Sequence, residues 1–507
     1  MIGLINRPAT RRARRGMGTN AASSAEGRCC ASKLTDLVQQ EVCNMSSRRV
    51  VLIATLTCVL FIVWPIPHTI ALRNVLMGLL LIVLVAGANW RAGWCLVQGP
   101  IRPFVALYGL FTAWILFVAF FISPFPHWSL SEIEGQWLMG TGALILGSLT
   151  ALQKNKEAAY WAMTGVVLAL MIQIVAVDIQ GLWSVGSSGS WLKMARLGGL
   201  TAGPGKMSYL TNFLLSAAIA RWSLSIEGRG YRGESWALAV LLTLCGLSVY
   251  FESMRNEIFD LVVFAVFIGA AVYKVQSRRA PRQAMLAVAG ICLLFSIAVG
   301  VDLVADPRWA SLWATVPVAL NTAHHLAWLN AQRFPLPHLP DGQVVSASNY
   351  LRIAWIKEGL EQILAHPLGV GYGRAAFGHA LRLRFGPLSN DIGLNNSLLT
   401  IAIGAGIPGA ILWLGMFAFV GWFSVLRLSG AYAFEARFLF LVVLAFGVRM
   451  AVDNDMQNYT LEQFLYFVGL LMPLAAAKIV ERSANDGAVM GVVMGTRAPM
   501  GDNNSQY

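Results

Sequence analysis

The sequence predicts an all-α polytopic membrane protein, and three observations support this fold class. Of its 507 residues, 57% are hydrophobic and only 12% are charged, whereas soluble domains are about half apolar and about a quarter charged. The apolar residues fall into repeated blocks of roughly 15 to 22 residues, the length of a helix that crosses a bilayer. A transmembrane β-barrel is excluded, because its strands alternate in short segments.

About twelve apolar blocks are expected to be transmembrane helices. They occupy residues 50–64, 75–88, 104–122, 137–152, 160–177, 208–220, 236–251, 258–275, 284–304, 397–426, 438–448 and 461–477. The tail before the first block is too long and too polar for a signal peptide, so that block is expected to be a retained span. Gly404, Gly406, Pro408 and Gly409 predict a kink in the tenth block.

The blocks divide the chain into a membrane domain between two polar tails. Residues 1–49 carry nine Lys and Arg against three acidic residues, which predicts a disordered basic tail in the cytoplasm. Residues 50–480 form the predicted transmembrane domain, and residues 481–507 form a second disordered cytoplasmic tail. Residues 305–396 are the predicted large periplasmic loop between spans nine and ten.

Basic residues predict the orientation of the spans. With the first tail inside, every loop on that side is basic, as the positive-inside rule requires. The residues are Arg91, Arg102, Lys154, Lys156, Arg221, Arg229, Arg232, Lys274, Arg278, Arg279, Arg282, Arg427, Lys478 and Arg482. We therefore predict a multi-pass protein of the cell inner membrane with both termini in the cytoplasm. The net charge of +13 is therefore interpreted as a consequence of the membrane orientation. Nucleic acid is not an expected partner, because the basic tail lacks interleaved aromatic residues.

Arginines on the outer side are not explained by the insertion rule. Arg196, Arg255, Arg352 and Arg449 are the ones of interest. A guanidinium group stays charged and binds phosphoryl oxygens bidentately, so these residues suit a diphosphate at the membrane surface. The alternative is that each pairs with a nearby carboxylate or reaches lipid headgroups.

Arg352 falls near the start of a predicted amphipathic helix, residues 349–365. Spacing of 3.6 residues places Arg352 on one face with Trp355, Ile356, Gly359 and Ile363. The N-terminus of this helix would add to the attraction for an anion.

The residues that follow resemble a known family. After Arg352 and Trp355 come His-Pro-Leu-Gly-Val-Gly-Tyr-Gly at 366–373, Asn-Ser-Leu at 396–398, and Gly-Ala-Gly-Ile-Pro-Gly at 404–409. This pattern resembles the O-antigen ligase and polymerase superfamily, polytopic enzymes of Gram-negative envelopes with a large periplasmic loop late in the chain. The resemblance is close over residues 196–426 and rests on topology elsewhere.

The resemblance implies a polyprenyl-diphosphate-dependent glycosyltransferase of O-antigen or exopolysaccharide assembly. Its partners would be an undecaprenyl-diphosphate-linked glycan donor, a glycan or lipid A core acceptor, and membrane lipid, with no metal or other cofactor. Arg196 and Arg255 match the diphosphate-binding arginines, and Arg352 matches the loop arginine. Arg255, Arg352 and Asn395 are accordingly the expected catalytic residues.

One position departs from the ligase branch. There a histidine precedes the Asn-Ser-Leu element, whereas this chain has Asn395, and an amide cannot act as a general base. This difference favours a polymerase over a ligase. His366, His379 and Asp391 are candidate bases, as is Glu257, although His366 alternatively caps its helix.

Three further features of the sequence have alternative functional interpretations. Asp453-Asn454-Asp455 has a spacing that can hold a divalent cation, but the resemblance implies metal independence. Aromatic residues of the long loop stack on sugars or simply form its core. A transporter or flippase for a lipid-linked solute would be expected to show related halves and mid-membrane charges, whereas the polar residues here gather at the outer ends and no repeat is visible.

Overall fold

The computed structural model describes residues 47–189, 196–230, 233–276, 311–388, 393–454, 456 and 459–476, with individual helical positions between 282 and 300. The described chain is 78% helix and contains no β-strand within these ranges. The prediction of an all-α fold is therefore confirmed.

The first part of the chain is a series of helices joined by short turns. In chain order they are α1 (47–63), α2 (Ile70–Val85), α3 (Trp90–Gln98), α4 (Arg102–Phe117), α5 (Pro126–Glu132), α6 (Met139–Ala151), α7 (Lys156–Ser188), α8 (Pro204–Leu224), α9 (Glu234–Glu252) and α10 (Glu257–Gln276). Single π-turns continue α4 through Ile122 and link α5 to α6.

The second part contains shorter helices and then three long ones. They are α11 (Leu312–Leu320), α12 (Ala347–Ala365), α13 (Ala376–Phe385), α14 (Ser397–Gly404), α15 (Gly406–Val425), α16 (Ala433–Met450) and α17 (Tyr459–Ala476). Helix α12 is the helix that the sequence predicts around Arg352, but the prediction that it is amphipathic is wrong. Asn349, Glu358 and Gln362 are buried, whereas Ile356, Leu360 and Leu364 are exposed.

Six helices are long and apolar enough to cross a membrane, which makes the chain a multi-pass membrane protein. They are Arg102–Ile122, Lys156–Ser188, Glu234–Glu252, Glu257–Val275, Gly406–Val425 and Tyr459–Ala476. The other described apolar blocks are also helical but are shorter or less apolar. The count of twelve spans and the periplasmic side of the long loop therefore remain predictions.

The tenth apolar block is broken where the sequence predicts a kink. Helix α14 ends at Gly404 and α15 begins at Gly406, whose φ of +71° belongs to the left-handed region that glycine adopts most easily. Pro408 lies in the first turn of α15, where a missing backbone N–H costs little. The glycine therefore makes the break, and the proline starts the new helix.

Helix α17 lies at the centre of the helical bundle. Its whole apolar length is buried, and it crosses α6 at two facing glycines, Gly147 and Gly469. A Cβ atom on Gly147 would collide with the backbone of Tyr466, and one on Gly469 would collide with that of Leu144. Small residues that allow two backbones to approach are typical of helix contacts in membranes.

Residues 311–388 form a second, smaller core beside the bundle. Trp328, Tyr350, Phe377 and Leu381 are buried in it, and the Trp355 indole donates to the carbonyl of Trp328 at 2.8 Å. Most aromatic residues of this segment are thus core residues, whereas the side chain of Trp313 is 80% exposed.

A glycine-rich turn joins this smaller core to the bundle. The N–H groups of Val370 and Gly371 donate to the carbonyls of Ile403 and Gly404, each at 3.0 Å. A Cβ atom on Gly369 would collide with the backbone at the break after Gly404. The motif at residues 366–373 therefore packs against the end of α14 and positions α12 over the bundle.

The facing glycines yield a stability prediction. Gly147→Ala should lower the free energy of unfolding by about 1–3 kcal/mol, because the added methyl group forces α6 and α17 apart. Gly78→Ala in α2 is the control, since a Cβ atom there has no neighbour within 4 Å. Thermal unfolding of the detergent-purified proteins measures both, and equal melting temperatures would contradict the close crossing.

Candidate functional site

A tight turn between α9 and α10 presents Arg255 and Asn256. Helix α9 ends at Glu252, and Ser253 adopts a left-handed φ of +48° while its N–H donates to the carbonyl of Val249 at 3.1 Å. The N–H of Glu257 then donates to the carbonyl of Met254 at 3.0 Å and starts α10. The two side chains between these helix ends point towards α12.

Helix α12 faces this turn with another arginine and asparagine, Arg352 and Asn349. Arg255 Nη1 donates to Asn349 Oδ1 at 3.1 Å, and Arg352 Nη1 donates to Asn256 Oδ1 at 3.3 Å. We call these four residues the crossed Arg–Asn pairs. An amide oxygen is neutral, so these hydrogen bonds orient the guanidinium groups without cancelling their charge.

The start of α14 and the end of α16 form the third side of the site. Asn396 caps α14 by accepting from the N–H of Leu399 at 2.9 Å, and its amide donates to the carbonyl of Ala451 at 2.7 Å. The hydroxyl of Ser397 donates to the carbonyl of Asp453 at 3.1 Å. The Asn-Ser-Leu motif therefore holds the turn that follows α16.

These elements enclose a cleft of about 160 Å³. The crossed Arg–Asn pairs line it together with Asn395 and Asn396, and a second group of lining residues is apolar: Phe259, Leu312, Ile353, Ile356 and Leu394. A cleft with arginines beside an apolar wall, at the end of candidate membrane spans, suits an amphiphile that carries an anionic group.

Arg449 lies behind the cleft and is fully buried. Its Nη1 atom lies 2.6 Å from Ser208 Oγ and 3.7 Å from Asp260 Oδ2, and its Nη2 atom lies 3.4 Å from Asp453 Oδ2. The guanidinium carbon also lies 4.1 Å from the ring centroid of Tyr209. The carbonyl of Arg449 accepts from the N–H of Asp453 at 2.7 Å, so this residue anchors the turn that completes the cleft.

Two titratable groups of α12, Tyr350 and Glu358, are buried on the side of the smaller core. Burial raises the pKa of Tyr350 to about 12, and its hydroxyl donates to the carbonyl of His325 at 2.7 Å. Burial also raises the pKa of Glu358, an effect that Arg384 partly opposes. Tyr350 is thus a neutral hydrogen-bond donor that fixes the helix carrying Arg352.

The structure brings together three of the residues that the sequence predicts as functional. Arg255, Arg352 and Asn395 all line the cleft. Arg196 is exposed, with a left-handed φ of +40°, and its Nη2 atom lies 3.5 Å from Met254 Sδ. It therefore contacts the turn that bears Arg255 but does not line the cleft.

The two candidate histidines do not line the cleft. His366 ends α12, where its N–H donates to the carbonyl of Gln362 at 2.9 Å. His379 is buried between Phe125 and Trp128, with ring centroids 4.5 and 4.0 Å away. Asp391 lies outside the described residues.

Several residues in and behind the cleft are not predicted from the sequence. Asn256 and Asn349 carry no motif, and only the fold shows that they face the two arginines. Asp260 lies inside an apolar block and Asp178 directly follows one, and acidic residues at such positions indicate a functional or paired group in a membrane. Asp453 of the Asp-Asn-Asp motif pairs with Arg449, and Asp455 lies outside the described residues.

Comparison of the chain with protein-family models and with curated proteins finds no match. Function is therefore inferred from the cleft and from the motifs that form it.

The buried position of Arg449 yields a second stability prediction. Arg449→Gln should lower the free energy of unfolding by about 3–5 kcal/mol, because Asp260 and Asp453 would lose their cation. Arg91→Gln, at an exposed arginine, should change it by less than about 1 kcal/mol. Chemical unfolding in mixed micelles measures both changes, and similar losses in the two variants would contradict the anchoring role.

Proposed function

We propose that this chain is a membrane glycosyltransferase that moves a glycan from undecaprenyl diphosphate to an acceptor sugar on the periplasmic face of the inner membrane. The product would belong to O-antigen or exopolysaccharide assembly. This proposal combines the family resemblance of the motifs with the chemistry of the cleft.

The crossed Arg–Asn pairs are the observation that carries the proposal. Two arginines from separate elements meet in one cleft, and each is oriented by a neutral amide. Two oxygens of one phosphoryl group can accept both hydrogen bonds of a guanidinium fork, and a diphosphate has two such groups. The apolar wall beside them suits the start of a polyprenyl chain. A soluble phosphate ester has no such chain and would leave this wall uncovered.

The reaction requires little covalent chemistry from the protein. The acceptor hydroxyl oxygen forms a bond to the anomeric carbon of the donor glycan, and the bond from that carbon to the diphosphate oxygen breaks. The diphosphate leaves with the electron pair, and the hydroxyl proton passes to a base or to solvent. Arg255 and Arg352 would stabilise the negative charge that develops on the leaving group, the kind of interaction that supplies much of enzymatic rate enhancement.

Asn395 favours a polymerase over a ligase. It lines the cleft at the position where the ligase branch has a histidine, and its amide cannot accept the proton. The two histidines considered as substitutes lie outside the cleft lining. A ligase that attaches glycan to lipid A core is the alternative within the same chemistry.

A lipid-linked glycan flippase is the rival from another class. The observation that favours it is the set of ionisable residues buried in candidate spans around Arg449, because such groups often line transport pathways. Vesicles that contain the purified protein and a labelled lipid-linked glycan separate the two functions. A flippase moves the label across the sealed bilayer, whereas the proposed enzyme leaves its sidedness unchanged.

The arginines of the cleft yield an activity prediction. Arg255→Ala and Arg352→Ala should each reduce glycan transfer by about 100-fold or more, the usual cost of removing one preorganised donor. Arg255→Lys should recover only part of the activity, because an ammonium group keeps the charge but loses the planar fork. The glycolipid profile of a deletion strain that carries each variant measures the loss.

Arg333→Ala provides the matched control, since Arg333 is exposed and does not line the cleft. This variant should restore a normal profile. Full activity in both cleft variants, with normal amounts of inserted protein, would contradict the site. Single repeats on the lipid A core of the deletion strain would indicate a polymerase, and polymer retained on undecaprenyl diphosphate would indicate a ligase.

A further inference from the structure

Four carboxyl groups are buried together behind the cleft. Glu252 ends α9, Glu257 and Asp260 begin α10, and Asp178 approaches from α7. Their exposed fractions are 0%, 2%, 0% and 3%. The side chains of Glu252 and Glu257 interact with each other, and Asp178 lies within electrostatic range of Glu252 and the thiol of Cys245.

Two of these groups have the partners that an anion needs. Glu252 Oε1 accepts from the hydroxyls of Thr211 and Ser248 at 2.6 and 2.8 Å. Asp260 Oδ2 accepts from the amide of Asn212 at 2.5 Å and lies 3.7 Å from Arg449 Nη1. Hydrogen bonds to oxygen atoms and a nearby cation both favour the ionised form.

The other two groups meet no donor within the described residues. Among the residues that the structure describes, both carboxyl oxygens of Glu257 and both of Asp178 are buried without a donor partner. The hydroxyl of Tyr209, whose ring lies against Arg449, is also buried and has no hydrogen-bond partner in the described part of the chain. An isolated carboxylate in an apolar interior costs far more than its neutral acid, so such groups stay protonated.

The charges around the cluster support the same conclusion. Arg449 acts electrostatically on Glu252, Glu257 and Asp260, and it also lies 3.4 Å from Asp453. Four ionised carboxyl groups would therefore place a large excess of negative charge in a membrane interior. Among the described residues, no three acidic, histidine or cysteine side chains converge closely enough to hold a metal ion.

We propose that Glu257 and Asp178 bind protons, so that this cluster is a proton-binding site behind the cleft. Glu252 provides an acceptor for the proton of Glu257, and Asp260 lies 3.7 Å from the guanidinium of Arg449. The proton-binding site and the cleft are neighbours in sequence, because Glu257 directly follows Asn256 of the crossed Arg–Asn pairs. The proposal concerns protonation alone and stands whether or not the chain transfers glycans.

Infrared difference spectroscopy of the full chain in lipid nanodiscs at neutral pH tests the site. Glu257→Gln and Asp178→Asn should each remove intensity from the C=O stretching band of protonated carboxyl groups. The matched controls are Glu134→Gln and Asp341→Asn at exposed positions, which should remove intensity only from the carboxylate bands. Loss from the carboxylate bands in the Glu257 and Asp178 variants would overturn the proposal.

Protein stability provides a second measurement. Glutamine mimics a neutral glutamic acid, so Glu257→Gln should keep the wild-type melting temperature, in contrast to Arg449→Gln. A loss as large as that of Arg449→Gln would overturn the proposal, as would a wild-type spectrum without a protonated carboxyl band. Neither readout depends on glycan transfer, so this site and the proposed function can fail separately.

Discussion

The buried guanidinium of Arg449 is the constraint on which the helix ends around the cleft depend. A charge at this depth persists only when hydrogen-bond partners and counter-charges surround it. Ser208 of α8 and Asp260 of α10 supply two of these partners, and Asp453 supplies the third from the turn after α16. Three separate parts of the chain are thereby fixed relative to one another, and the turn at residues 451–454 is held in place as one wall of the cleft.

The cleft is the second consequence of this arrangement. Backbone carbonyls of the anchored turn accept from Asn396 and Ser397, while the crossed Arg–Asn pairs join α12 to the turn before α10. Asn349 and Asn256 thus orient the guanidinium groups of Arg255 and Arg352. In the proposed reaction, donors oriented in advance would stabilise the leaving group. Apolar residues line the same cleft beside them, which suits the lipid-linked donor of the proposed reaction.

The sequence predicts that the described apolar blocks are helical, because apolar block length is a local property. It also predicts the break near Gly406 and the helix that carries Arg352, since glycine conformation and 3.6-residue spacing are local too. It does not predict the short helices α3, α5, α11 and α13. The crossed pairs could not be predicted, because Asn256 and Asn349 are distant in sequence and asparagine has no distinctive pattern. The position of Arg196 could not be predicted either. Its glycine-rich surroundings indicate a functional loop, but only the fold shows that it contacts Met254 and does not line the cleft.

The most direct test of the central claim is a transfer reaction with purified protein in detergent. The substrate is an isolated undecaprenyl-diphosphate-linked glycan, and its products are separated by chromatography. The account predicts longer lipid-linked glycans together with free undecaprenyl diphosphate for the wild type, and neither product when Arg255 and Arg352 are both replaced by glutamine. Unchanged substrate with the wild-type protein, or equal turnover by the double variant, would contradict it.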